Sequence, residues 1–156
     1  MVDKNTDFFK YVDNFAKTVN IASIPIFEFK SNRIPKITIG IPTYKRTDLL
    51  KEAIESAINQ IGYKDYDIIV VDNNPLRGCE TEKMMLNYRG QRISYYKNVE
   101  NIQMAGNWNR LYTLAKGEYV VMLHDDDMLH NDYLLNISNF ISKYNNKFDA
   151  IYPAYN

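Results

Sequence analysis

Apolar residues follow two rhythms along this chain. Short β-branched or apolar runs occur at residues 37–41, 67–71, 93–96 and 119–123, each of strand length and bounded by turn-forming residues. Between them, apolar positions recur at intervals of three and four, which predicts amphipathic helices. Leu49, Leu50, Ala53, Ile54, Ala57, Ile58 and Ile61 share one helical face. Met84, Met85 and Tyr88 mark a shorter helix over residues 81–88, and Trp108, Leu111, Tyr112 and Ala115 mark another that stops at Gly117. Tyr133, Leu134, Ile137, Phe140, Ile141 and Tyr144 give the last helix. Pro42 is expected to end the first strand because proline cannot donate to a sheet ladder. Thr47 is the expected N-cap of the helix that follows, and Gly62 its expected end.

Residues 1–35 form a lead-in. Phe8, Phe9, Val12, Phe15, Ala16 and Val19 recur at helical spacing, and residues 24–29 read as an extended, proline-containing connector. The main body, residues 36–156, alternates strand and helix and begins a further strand at 149–152. Such alternation predicts an α/β fold: a mostly parallel sheet with helices on both faces.

Composition adds limits. A length of 156 residues suits one domain, with 46% hydrophobic and 24% charged residues as in ordinary globular proteins. Lys plus Arg and Asp plus Glu both number 19, so no basic field points to nucleic acid. The single cysteine, Cys79, excludes an internal disulfide and fits a reducing compartment. No apolar run approaches membrane-spanning length. The expected location is the cytoplasm.

In parallel sheets, ligands bind beyond the carboxyl ends of the strands. Three polar segments fall there: Pro42-Thr43-Tyr44-Lys45-Arg46, Asp72-Asn73-Asn74, and His124-Asp125-Asp126-Asp127. An isolated acidic triplet is most simply a helix-capping turn. Placed at a strand end level with the other two segments, it becomes a candidate site for a hard divalent cation such as Mg2+ or Mn2+, which prefers oxygen ligands. The turn after the first strand has no glycine-rich dinucleotide fingerprint, and the chain lacks a P-loop and a Gly-x-Ser-x-Gly elbow. What remains is a carboxylate-plus-metal site facing an anionic ligand, able to stabilise a departing diphosphate.

The succession Ile39-Gly40-Ile41-Pro42-Thr43-Tyr44-Lys45-Arg46, Ile69-Val70-Val71-Asp72-Asn73, Asn101 through Asn109, and Ala115-Lys116-Gly117-Glu118-Tyr119 through Asp127 resembles the nucleotide-binding half of family 2 glycosyltransferases. The resemblance covers about residues 36–152 and implies a GT-A fold, Rossmann-like and here cut short. It further implies a metal-dependent, inverting transfer of sugar from a nucleotide-diphosphate donor to an acceptor hydroxyl, in surface polysaccharide or lipopolysaccharide synthesis. Implied partners are the nucleotide sugar and a saccharide or lipid-linked acceptor, with peripheral membrane association; a truncated sheet edge adds an expectation of self-association.

By resemblance, Pro42, Thr43 and Tyr44 line the base and ribose pocket, and Asp72 hydrogen-bonds base or ribose unless it merely forms an Asx turn. Asn101 and Asn109 occupy polar positions of the family or cap helices. Arg46 reaches a phosphate or lies in solvent at a helix start. The register of the triplet is open. Asp125 and Asp127 give an Asp-x-Asp spacing, whereas alignment on the following residues puts His124 in the first acidic position. Asp125 and Asp126 are expected at the donor, and Asp126 and Asp127 at the metal. The family often has glycine where Gln103 stands. Its catalytic base is expected beyond Asn156, which would leave this chain binding donor without efficient transfer. Two other classes share parts of this pattern: a sugar-phosphate nucleotidyltransferase, whose glycine-rich basic loop is missing, and a non-catalytic nucleotide-sugar-binding module.

Overall fold

A computed structural model describes residues 14–144 and 149–151. Its elements are α1 (Asn14–Thr18), β1 (Ser23–Phe27), β2 (Ile37–Thr43), α2 (Thr47–Ile58), β3 (Tyr66–Asp72), α3 (Glu80–Met85) with a 3-10 turn at Leu86–Tyr88, β4 (Ile93–Asn98), α4 (Gln103–Leu114), β5 (Tyr119–Met122) and α5 (Tyr133–Lys143). The sheet runs in the order β1-β4-β3-β2-β5. The four strands β4, β3, β2 and β5 are parallel, and β1 joins antiparallel at the β4 edge.

Side-chain alternation divides the strands between two cores. Ile37, Ile39, Ile41, Ile68, Val70, Ile93 and Tyr95 face α2, α3 and α5, packing on Leu50, Ala53, Ile54, Ala57, Met85, Leu134 and Ile141. Ile69, Val71 and Tyr96 face the other way and pack with Leu111 of α4. Helices therefore cover both faces, as expected. The central strands β2 and β3 read as continuous apolar runs because both of their faces are buried.

Gly40 lets α4 come close. A Cβ there would lie 2.2 Å from Leu111 Cδ2, so any larger residue forces the Leu111 side chain, or the helix that carries it, to shift.

Several local expectations change. Pro42 does not end β2, which continues to Thr43. Proline shares the parity of Gly40, whose carbonyl accepts from Leu123 on the β5 side, and pairing with β5 stops at Gly40. Its missing N–H thus falls where no ladder remains. Thr47 is the first helical residue rather than the cap; Arg46 occupies the cap position and the Thr47 hydroxyl lies 2.9 Å from that of Thr81. The same helix ends at Ile58, leaving Ile61 exposed, and Gly62 turns the chain at φ +75°.

Gly117 likewise lies past the end of α4, which stops at Leu114 with Ala115 as cap. There it lets the backbone pass β2: its N–H donates to Thr38 Oγ1 at 2.9 Å, and a Cβ would stand 2.5 Å from the Thr38 nitrogen.

The stretch expected as a connector contains β1, an edge strand paired to β4 with a register irregularity between Pro25 and Phe27. Proline is tolerated at such edges and bulges. Of the lead-in helix, α1 carries Phe15 and Ala16, with Phe15 and Val19 exposed; Phe8, Phe9 and Val12 lie outside the described residues. Residues 149–151 are not in a strand, and Tyr152 lies outside the described residues.

Candidate functional site

The chain builds β2, β3 and β4 outward in one direction, then crosses back through α4 to lay β5 on the other side of β2. Strand order reverses between β2 and β5, and a crevice opens at such a switch point. Here it is a cleft of about 340 Å³ lined by Pro42 and Thr43 at the end of β2, Tyr44 and Arg46 after it, Asn73 after β3, and His124 and Asp125 after β5. Asn101, Gln103, Met104, Asn107 and Trp108 close it from the start of α4.

Asp125 ties the two strand ends together. It is 6% exposed, and its Oδ2 accepts the Thr43 hydroxyl at 2.8 Å. Arg46, at the start of α2, donates from one nitrogen, Nη1, to Asp125 Oδ1 at 3.2 Å and to Asp126 Oδ2 at 2.8 Å. Asp126 and Asp127 follow Asp125, exposed and outside the cleft lining, and the Asp127 N–H closes a turn on the His124 carbonyl at 3.1 Å. His124 packs edge-on against Trp108, with ring centroids 5.1 Å apart. Among the described residues, no three acidic, histidine or cysteine side chains converge as a ready-made metal cage. Two exposed carboxylates nevertheless fit Mg2+ or Mn2+, which are commonly held by one or two carboxylates, substrate phosphates and water.

Asp72 lies beneath the cleft and does not line it. It is fully buried, with Oδ2 accepting from Lys97 Nζ at 2.6 Å and from the Tyr95 hydroxyl at 2.8 Å, while Oδ1 takes the Asn74 N–H at 2.9 Å. Burial, then the adjacent Asp72 charge, pushes the Tyr95 phenol well above its usual range, so it remains a donor. Asn109, on α4, is half-buried; its carbonyl accepts the Thr113 hydroxyl, and it stands outside the cleft lining.

A relay of asparagines holds the rim. Asn73 Nδ2 donates to Asn101 Oδ1 at 2.8 Å and to the Gln103 carbonyl at 3.2 Å. Its Oδ1 accepts from Asn98 at 3.0 Å and from the Ile102 N–H at 2.9 Å. Asn98 also donates to Asn107, which in turn donates to the Val71 carbonyl at 3.0 Å. These side chains fasten the ends of β3 and β4 to the start of α4. Sequence reasoning counted Asn73 among the strand-end polar residues without giving it a role, placed Trp108 on a helical face, and did not single out Asn98 or Asn107. The available signal was an asparagine two residues beyond each of the apolar runs 67–71 and 93–96.

Comparison with known proteins gives a consistent picture. The model for Glycosyl transferase family 2 matches residues 38–154. An uncharacterized glycosyltransferase of Rickettsia bellii is 34% identical over 121 residues, covering 78% of this chain and 17% of the relative. The GalNAc(5)-diNAcBac-PP-undecaprenol beta-1,3-glucosyltransferase of Campylobacter jejuni is 38% identical over 98 residues, covering 62% and 31%. Among solved structures, S. aureus TarS 1-349 in complex with UDP-GlcNAc superposes with a TM-score of 0.64 at 22% identity, over 70% of this chain and 32% of that one. The mannosyltransferase PcManGT of Pyrobaculum calidifontis, in complex with GDP-Man and Mn2+, gives 0.60 at 22% identity, over 71% and 33%. The structural likenesses show the shared fold. The chain spans 17% to 31% of the length of these two curated relatives.

Proposed function

The chain belongs to glycosyl transferase family 2, and on that premise we propose that it forms the donor-binding part of an inverting enzyme that moves a sugar from a nucleoside diphosphate to an acceptor hydroxyl. The observation that carries this reading is the junction of Thr43, Arg46, Asp125 and Asp126 at the β2/β5 switch point, beside a cleft walled by Tyr44 and Trp108. Pro42, Thr43 and Tyr44 take the base and ribose, the Tyr44 ring lying in the cleft wall with Lys45 Nζ 5.0 Å from its centroid. Asp125, fixed by Thr43, presents a carboxylate to the ribose or the sugar. Asn101 serves the same pocket from the α4 side.

Asp72 and Asn109 act at one remove. Asp72 holds the strand end that carries Asn73, and Asn109 follows Trp108 on α4. Asp126 and Asp127 are the residues that would hold Mg2+ or Mn2+. When bound, that ion neutralises charge developing on the departing diphosphate. Arg46 supplies a fixed positive charge on the same phosphates.

In-line attack at the anomeric carbon needs a base to take the acceptor proton. We assign donor binding, and not that base, to the residues named above. The undecaprenol-linked compound in the name of the Campylobacter relative supports a lipid-linked or saccharide acceptor, and the cytoplasmic membrane face is the location we propose. Among the described residues, no helix is long and apolar enough to cross a membrane.

The test is calorimetric titration with UDP-, GDP- and CDP-sugars, with and without Mn2+. The expected result is metal-dependent binding of one class, weakened at least about tenfold in Asp126→Ala. Absence of nucleotide binding under every condition would sink the reading.

A further inference from the structure

We propose that Arg46 is a built-in counter-cation: it neutralises Asp125 and Asp126 and moves to the diphosphate when donor arrives, so that metal at Asp126 and donor bind cooperatively. The inference rests on the metal-and-diphosphate reading above and adds the order and coupling of events.

Both carboxylates are served by one guanidinium nitrogen, with the shorter bond to Asp126 Oδ2 at 2.8 Å. A divalent cation at Asp126 needs those same oxygens, and two cations at one carboxylate repel. The exposures are unequal in a telling way. The Asp125 side chain is 9% exposed and is also held by Thr43, whereas those of Asp126 and Arg46 are 49% and 51% exposed. Asp125 is therefore a fixed post, and the Arg46–Asp126 pair can open into solvent without stranding a buried charge.

The backbone beneath Arg46 is defined. Lys45 before it adopts φ +58°, and α2 begins directly after it with the Leu50 N–H bonded to the Arg46 carbonyl at 2.9 Å. Movement is thus a side-chain swing about an anchored Cα. A diphosphate offers several charged oxygens that the planar guanidinium fork can engage in pairs, against the single oxygen it meets on each carboxylate here. When Arg46 takes the phosphate, Asp126 is released for metal. By linkage, metal must then tighten nucleotide by the same factor that nucleotide tightens metal.

The alternative role for this ion pair is purely structural, joining the β2 and β5 loops. Mn2+ titration followed by the loss of its free EPR signal separates the two, with UDP as the nucleotide probe. In wild type, Mn2+ alone should bind weakly, and saturating UDP should tighten it by about tenfold or more. In Arg46→Gln, Mn2+ alone should bind about fivefold tighter, UDP should bind more weakly in the presence of Mn2+, and the coupling factor should shrink toward one. Arg46→Lys keeps the charge and should keep most of the competition, which also controls for loss of fold.

If Arg46→Gln stays folded but binds Mn2+ alone no better than wild type, with undiminished coupling, the counter-cation proposal is overturned while the donor-site reading stands. If wild type binds no Mn2+ with UDP, GDP or CDP, and none of these nucleotides binds, the donor-site reading fails and takes this proposal with it.

Discussion

Gln103 adopts φ +64°, the left-handed region that glycine enters freely and other residues at a cost of about 1 kcal/mol. The family resemblance puts glycine at this position, so its departure was legible while its backbone consequence was not. The loop keeps the glycine-type conformation because the Gln103 carbonyl and N–H are both held, by Asn73 and by Asn101 Oδ1. A second residue-scale conflict lies far from the cleft. Asp67 of β3 is pushed above its ordinary value of 3.8, chiefly by burial and against the opposing hydrogen bond from Thr38. The folded protein therefore binds this proton more tightly than the unfolded chain. The wild-type contribution is best below the ordinary value and declines as pH rises through the raised one. Asp67→Asn keeps an acceptor for the Thr38 hydroxyl and removes the charge. It should melt higher than wild type at pH 7, and the difference should close as pH falls toward 3.8. A constant difference across that range in pH-dependent thermal melts would contradict the assignment.

Elements were more legible than their ends. The strand and helix cores lie at residues of strong periodicity, because burial of one face is what both the pattern and the structure report. The ends depended on tertiary partners that no local pattern carries. Pro42 remains in β2 because β5 is short, and β1 is a strand only because β4 offers it an edge. The clearest tertiary dependence is the contact of β2 with α4. Gly40→Ala places a methyl 2.2 Å from Leu111 Cδ2, and such overpacking should cost about 1–3 kcal/mol. Truncating the neighbour in Leu111→Ala leaves a cavity costing about 2–5 kcal/mol. Since the inserted methyl fills part of that space, the double variant should be more stable than the sum of the singles predicts, by at least about 0.5 kcal/mol in a denaturant-based cycle. Strict additivity would show that α4 does not rest on Gly40 as described.

At the scale of the whole molecule, the candidate site is where the topology changes direction, and this explains what could be read in advance. Alternating strands and helices already placed Thr43, Asp72 and the acidic triplet on one sheet edge, but they left the strand order unknown. Only the order β1-β4-β3-β2-β5 makes β2 and β5 neighbours, bringing Thr43 and Arg46 onto Asp125 while leaving Asp72 paired with Lys97 underneath. Arg46 thus already pairs with Asp125 and Asp126, and ligand should bind by exchanging partners within a formed scaffold. A ligand that binds only the folded form stabilises it by about 2.7 kcal/mol at one hundred times its dissociation constant. For a domain of this size each kcal/mol is worth about 2–4 °C, so UDP with Mn2+ should raise the melting temperature by roughly 5–11 °C. Mn2+ without nucleotide should raise it far less, because Arg46 still holds Asp126. Differential scanning fluorimetry across the four combinations of metal and nucleotide reads this directly. Equal shifts from Mn2+ alone and from Mn2+ with UDP would mean that the nucleotide adds nothing to the folded state, contrary to a cleft built around a diphosphate.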